Sequence, residues 1–336
     1  MLFLQVFEKT VMDPRRAVQG QLSEEHSLAL FTQSSTTTSN LDGVEEAMIV
    51  IDNRYRSQAC EEVVDMMEAN PNLLVMHGAL YPVRYQRDIR LYAYPSKSPT
   101  YWFLLINQKG ATPMVVAAQQ GDSYDRATFL NALKLFLDET QLLKKEISIE
   151  FGTEAHMMHE ITTYLVQSKG RQPGIRREHY VFFMTSDQIE NAQKLEHSLP
   201  YGYELSDLTT EDAEEIQRSS ENKEPLETFR KRIEWLPSSC IRQSSTGRVV
   251  SHELRSHYGA MVDQYTVPEH RRQGLGQAVE MALAQKIIRA NEVPFKLVPT
   301  YLTSIVYSSQ ESTFWTMWSR NSFPVPYVIQ KFEKST

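Results

Sequence analysis

Thr266-Val267-Pro268-Glu269-His270-Arg271-Arg272-Gln273-Gly274-Leu275-Gly276-Gln277 joins an apolar strand pattern, Ala260 to Val267, to a helical one that runs from Gly276 to Ala290. Leu275, Val279, Ala282, Leu283 and Ile287 recur at helical spacing and form the stripe that this helix buries. Glycines at 274 and 276 remove the side chains that would keep an anion from the backbone, and the first N–H groups of the helix face it. Arg271 and Arg272 add charge-assisted donors, so a diphosphate is the natural guest. The plainer reading is a strand-to-helix turn whose glycines only allow tight packing. Arg171 to Arg176 (RQPGIR) repeats the Arg and Gly, but Pro173 intervenes and no helical pattern follows. A dinucleotide-binding turn fits less well, because the neighbouring strands read as an antiparallel meander.

Outward from this loop the order of elements is regular. Tyr203 to Leu208 reads as a strand, Glu211 to Ser219 and Leu226 to Trp235 as helices, and a short strand lies near Cys240. Val249 to Arg255 and Ala260 to Val267 read as a hairpin across Ser256 to Gly259. After the long helix come a strand (Phe295 to Leu302), a helix (Glu311 to Arg320) and a strand (Val325 to Phe332). Upstream, Ala47 to Ile51 is an apolar run and Ser57 to Ala69 a helical pattern. Strands follow at Val83 to Tyr94, Tyr101 to Asn107 and Met114 to Ala118, and a helix at Asp125 to Thr140. A strand (Ile147 to Phe151), a helix (Glu154 to Gln167) and a strand (His179 to Met184) complete the first series, with Ser186 to Leu199 as a connector. Both series run meander, helix, strand, helix, strand, which suggests two copies of one α+β plan.

The length of 336 residues accommodates two domains: 44–198 and 199–336, preceded by a flexible extension at 1–43 that contains the polar run Gln33 to Asn40. A net charge of -7 with no long Lys/Arg block argues against a nucleic-acid surface. The two cysteines, Cys60 and Cys240, form neither a disulfide framework nor a paired-cysteine metal site. Met1 to Phe7 is apolar but too short for a membrane span, so an intact soluble, cytoplasmic chain is expected, with mitochondrial import left open. His156, His159 and Glu160 share one helix without a further ligand group, so no metal is expected.

The loop resembles the acyl-CoA pyrophosphate loop of the GCN5-related N-acetyltransferases, and the order of elements from Tyr203 onward is that superfamily's. More closely, Pro237-Ser238-Ser239-Cys240, Gly247, Ser251-His252-Glu253-Leu254, Gly259 and Thr266 to Arg271 resemble the C-terminal domain of the glycine N-acyltransferase family. That resemblance implies two tandem acyl-CoA N-acyltransferase-like domains with mixed, mostly antiparallel sheets flanked by helices. The second domain would bind acyl-CoA through Thr266, Val267, Arg271, Arg272, Gln273, Gly274, Leu275, Gly276 and Gln277. It would pass the acyl group to the amine of glycine or another small amino acid, with the thioester carbonyl held by backbone donors of the Ala260 to Val267 strand.

In two places this sequence departs from the family. The position that carries the family's catalytic glutamate is Ala260, which cannot take a proton. A two-residue hairpin would set Arg255 across from Ala260 and Glu253 across from Val262, all on one face, making Glu253 the substitute base, with His252 and Asp263 on the other face. The superfamily's leaving-group tyrosine is also missing from the helix expected at Glu311 to Arg320, although Tyr307 lies just before it. Phe314, Trp315 and Trp318 in that segment read either as core or as a lining for the thiol end of CoA. Two further readings stay open beside the enzyme: an acyl-CoA-binding or sensing protein without a base, and an interaction protein that keeps only the fold.

Overall fold

A computed structural model of the chain describes residues 47–51, 73–80, 88–96, 99–107, 112–121, 123–220 and 224–335. The extension at 1–43, Cys60 and the helix expected at Ser57 to Ala69 lie outside the described residues.

The first half begins with β1 (Ile49–Ile51), α1 (Leu74–Leu80), β2 (Asp88–Tyr94), β3 (Tyr101–Asn107) and β4 (Met114–Gln119). It continues with α2 (Arg126–Thr140), α3 (Leu142–Lys145), β5 (Ser148–Glu154), α4 (Ala155–Lys169), β6 (Arg171–Phe183) and α5 (Ser186–Gln193). The second half holds β7 (Tyr203–Ser206), α6 (Ala213–Ser219), α7 (Leu226–Trp235), β8 (Ser238–Gln243), β9 (Val249–Arg255) and β10 (Met261–Thr266). Then come α8 (Leu275–Arg289), β11 (Phe295–Pro299), α9 (Thr303–Gln310), three two-residue strands β12 (Thr316–Met317), β13 (Ser319–Arg320) and β14 (Phe323–Pro324), and β15 (Pro326–Lys334).

β3 and β4 carry unbroken apolar runs because both of their faces are covered. On one side α2 presents Phe129, Ala132, Leu133, Phe136 and Leu137, a stripe at helical spacing, to a core shared with Met157, Ile161 and Leu165 of α4. On the other side Leu74, Val75, Met76 and Ala79 of α1 enter a second core that runs from β2–β4 to Val181, Phe295, Leu297 and Ala260. α8 lies on the α2–α4 side of the sheet, and α6 and α7 lie on the α1 side.

Among the described residues, thirteen strands form one mostly antiparallel sheet in the order β1-β2-β3-β4-β5-β15-β6-β11-β10-β9-β8-β7, with β12 on β6, and β13 and β14 pair apart from it. The two halves are therefore joined in a single sheet and not set side by side as two. β15, the last strand of the chain, enters between β5 and β6 of the first half. β6 in turn crosses the junction: Arg171 to Tyr180 pair with β15, and His179 to Phe183 pair with β11. The sequence suggested a strand only from His179, since Pro173 and Gly174 interrupt the residues before it. Its pairing partner lies some 150 residues downstream by the register Glu178↔Val328, beyond the reach of local patterning.

A second difference concerns the helix expected at Glu311 to Arg320. The helix is Thr303–Gln310, and Phe314, Trp315 and Trp318 lie on the extended segment behind it, with both tryptophans buried. Aromatics spaced three and four apart mimicked a helix that tertiary packing does not form. Ser186 to Gln193, expected as a connector, is helical and starts with a capping box of Thr185 and Gln188.

Candidate functional site: a parted strand pair and an open helix start

β10 and β11 run parallel and pair only at Met261↔Lys296. Beyond that residue they part, and the edge of Val262 to Thr266 turned toward β11 has no strand partner among the described residues. The other edge pairs with β9, and a bulge between Val262 and Tyr265 puts Asp263 at φ 55. The Asp263 carboxylate accepts from Arg232 Nη2 at 2.8 Å and from Ser220 Oγ at 2.7 Å, which anchors the bulge to α6 and α7.

The loop continues from the end of β10. Pro268–His270 form one 3-10 turn, Arg272 takes φ 62, and Gly274, at φ 77, caps α8 without a side-chain bond. The first intrahelical bond runs from Ala278 N–H to Gly274 O at 3.0 Å, so the earlier N–H groups of α8 have no helical acceptor. No atom lies within 4 Å of a Cβ built on Gly274, whereas one on Gly276 would stand 3.4 Å from Thr266 Oγ1. That hydroxyl is fixed by Ser251 Oγ at 2.8 Å, and Gln264 Nε2 donates to Gly276 O at 3.1 Å. Arg271 Nε donates to Thr266 O at 2.8 Å, with its guanidinium over the Tyr265 ring, while His270 Nδ1 meets Tyr203 Oη at 2.8 Å. Arg272, Gln273, Gly274 and Gln277 are exposed and Leu275 is buried beneath them.

The corresponding helix of the first half is closed. Asp125 caps α2 by accepting from Thr128 N–H at 2.7 Å, so a carboxylate of the chain itself occupies the place that glycine leaves open in α8. Val267 is held by the chain's own main-chain bonds. Its N–H donates to Val250 O and its carbonyl accepts from His270 N–H, both at 2.9 Å, so its N–H is already engaged within the chain.

The hairpin register moves Glu253. Ser256 N–H donates to Ala260 O at 2.8 Å, and Arg255 stands across from Met261, one residue away from the expected pairing. Ala260 therefore shares its face with Leu254 and Val262 on the α1 side, and Glu253 faces α8. His252, expected opposite Ala260's face, stands on it, across from Tyr265. Glu253 is 2% exposed, and its Oε2 has no hydrogen bond among the described residues. Burial, then the nearby Glu280, hold its carboxyl well above the usual range, with Lys296 opposing. Glu280 is itself ion-paired with Lys296 and accepts from Trp315 Nε1 at 3.2 Å. Ala260 is fully buried in the core that α1 shares.

Tyr307 lies inside α9, the helix that follows β11. The earlier helix thus restores a tyrosine where the sequence reading found none. His156 Nε2 meets Gln119 Oε1 at 3.2 Å and Glu160 accepts from Arg126 at 2.8 Å, so the first half's histidine helix turns these groups to protein partners.

Residues 239–301, the segment from β8 to the end of β11, match the family model described as FR47-like protein. The match falls on the strands and loop that carry the resemblance to the GCN5-related acetyltransferases, and supports that superfamily for the second half. Among solved structures, the chain resembles a Drosophila protein with a TM-score of 0.61 at 15% identity, over 85% of this chain and 98% of that one. It is also similar to a tandem GNAT protein from the clavulanic acid biosynthesis pathway (TM-score 0.49, 11% identity, 86% and 99% covered). A GCN5-related N-acetyltransferase from Sphaerobacter thermophilus gives a TM-score of 0.48 at 11% identity, with 85% and 95% covered. The Drosophila likeness is one of fold and spans both halves.

Proposed function

We propose that the chain binds an acyl-CoA through the second half and transfers its acyl group to a small primary amine such as glycine. The observation that carries this reading is the parting of β10 from β11 beside the uncapped start of α8. A pantetheine arm is an extended chain of amides that can pair with the open edge of Val262 to Thr266, while the diphosphate meets the N–H groups behind Gly274 and Gly276 together with Arg272. Held this way, the thioester carbonyl lies against backbone donors and the amine approaches in a fixed geometry. Tyr307 is the candidate donor to the leaving thiolate. Glycine as the acceptor rests on the family resemblance alone.

A second reading, binding of acyl-CoA without transfer, is favoured by Ala260 and by the burial of Glu253 on the far side of the sheet from it. One pair of measurements separates the two. CoA and acetyl-CoA should raise the melting temperature, and acetyl-CoA mixed with glycine or ethylamine should release thiol. A thermal shift without thiol release from any acyl-CoA and amine would leave the binding reading; no shift would remove both.

A further inference from the structure

Ser251 of β9 is fully buried and makes one side-chain hydrogen bond among the described residues, its Oγ standing 2.8 Å from Thr266 Oγ1 across the β9–β10 pair. Distance alone does not say which hydroxyl donates. Burial does. Ser251 shares its face with Ile241, which forms the apolar cluster beneath α8 together with Val250, Leu275 and Val279. Thr266 Oγ1 is therefore the acceptor at hand for the Ser251 proton. If Thr266 donated instead, that proton would be shut away from water without a partner, the costly arrangement for a hydroxyl. Ser251 is thus the donor, and half-buried Thr266 keeps its own proton for a group outside the chain.

The first turn of α8 fixes where that proton is available. Thr266 Oγ1 lies 3.4 Å from a Cβ built on Gly276, against the turn whose earlier N–H groups have no helical acceptor. Gln264 Nε2, donating to Gly276 O at 3.1 Å, ties the same turn to β10. An anion that accepts from these N–H groups stands beside the Thr266 hydroxyl as well. The first half shows the closed form of this arrangement. Tyr101 of β3 also brings a hydroxyl to a helix start, but its Oη accepts from Asp125 N–H at 3.0 Å and donates to Asp125 O at 2.9 Å. Its proton is engaged within the chain, and the Asp125 carboxylate caps α2. At α8 the chain uses neither the helix start nor the outer hydroxyl proton.

We propose that Ser251 is a positioning residue for the diphosphate of acyl-CoA: by donating to Thr266 Oγ1 it turns the Thr266 proton outward, to be donated to a diphosphate oxygen beside the N–H groups of α8. The inference rests on the acyl-CoA reading above and extends the site inward to a buried residue of β9. A charged acceptor makes the Thr266 bond one of the stronger kind, and a hydroxyl that is itself accepting a hydrogen bond donates more strongly.

The test measures CoA affinity of the full chain by calorimetry. Thr266→Val replaces the hydroxyl by a methyl of the same shape and should weaken CoA about tenfold, the loss of one charge-assisted hydrogen bond. Thr266→Ser keeps the hydroxyl and should restore binding to within about twofold of wild type. Ser251→Ala leaves the Thr266 hydroxyl free to rotate and should weaken CoA about threefold. Added to Thr266→Val it should cause no further loss, because Ser251 acts through Thr266 alone. A role confined to packing would lower the melting temperature of unliganded Ser251→Ala and leave the affinity unchanged. Thr266→Val binding within twofold of wild type would overturn the proposal, as would a Ser251→Ala loss that is equally large in the Thr266→Val background. Failure of the wild-type chain to bind CoA would instead remove the acyl-CoA reading on which it rests.

Discussion

A glutamate at position 260 would enter a core that Val262, Phe295, Leu297 and the α1 side chains already fill. Restoring the family's base is therefore expected to harm the protein and not to activate it. Ala260→Glu should cost about 3–5 kcal/mol in urea unfolding, the penalty of an unpaired buried charge, and should add no thiol release. Glu253 gives a complementary expectation. The folded state keeps a proton on its carboxyl that the unfolded chain, with an ordinary pKa near 4.5, releases. Its contribution to stability therefore falls as pH rises above that value, until the buried group ionises. Glu253→Gln should leave stability at neutral pH equal or higher and flatten this dependence, as followed by urea melts from pH 5 to 8. A large loss of stability would show that the ionised carboxylate is needed. Both expectations depend on one residue of register, set by the Ser256–Ala260 bonding and the bulge at Asp263, which no hairpin rule could supply from composition.

At the scale of elements, the start of α8 makes a sharp contrast between its two glycines. Gly274→Ala meets no atom but holds an L side chain at φ 77, and should cost about 1 kcal/mol of stability. Gly276→Val adds branches above Thr266 Oγ1 and in front of the helix N–H groups, and should abolish the CoA thermal shift while the unliganded melting point moves little. An unchanged CoA shift in Gly276→Val would place the diphosphate elsewhere. This much of the site was legible because a strand, a glycine turn and a helix are encoded within a dozen adjacent residues. α9 was not: Thr303–Gln310 carries no strong apolar stripe and packs Val306 against the core that Phe314 and Met317 also border, whereas the aromatics behind it imitate helical spacing.

For the whole molecule, β15 contributes Tyr327 and Ile329 to the core on the α1 side and Val328 and Phe332 to the core on the α2–α4 side. Ending the chain after Val325 should open the sheet between β5 and β6 and expose both cores, seen as rapid proteolysis of the first half. A fragment of residues 199–336 should likewise fail to bind CoA, because β11 loses its β6 partner beside the fork. An independently folded, CoA-binding fragment would contradict the joined sheet. The molecule should also be acid-sensitive well above the carboxylate range. Burial is the leading cause holding His77, His156, His179 and His252 each at about pKa 4, against 6.5 unfolded. The unfolded chain takes up these protons first, so stability should fall from about pH 6.5 to pH 4, and the melting temperature with it.

Sequence alone determined the α+β alternation and the glycine turn between β10 and α8, since each depends on neighbours close along the chain: apolar periodicity, glycine at a φ-demanding position and a helical stripe that follows it. The tertiary structure decided what depends on distant partners. Insertion of β15 and extension of β6 through Arg171 to Glu178 follow from strand pairings between residues far apart in the chain, and the face on which Glu253 lies follows from the bulged β9–β10 register. A pairing shift of one residue reverses the direction of every side chain on a strand, and local sequence carries no signal strong enough to set that shift.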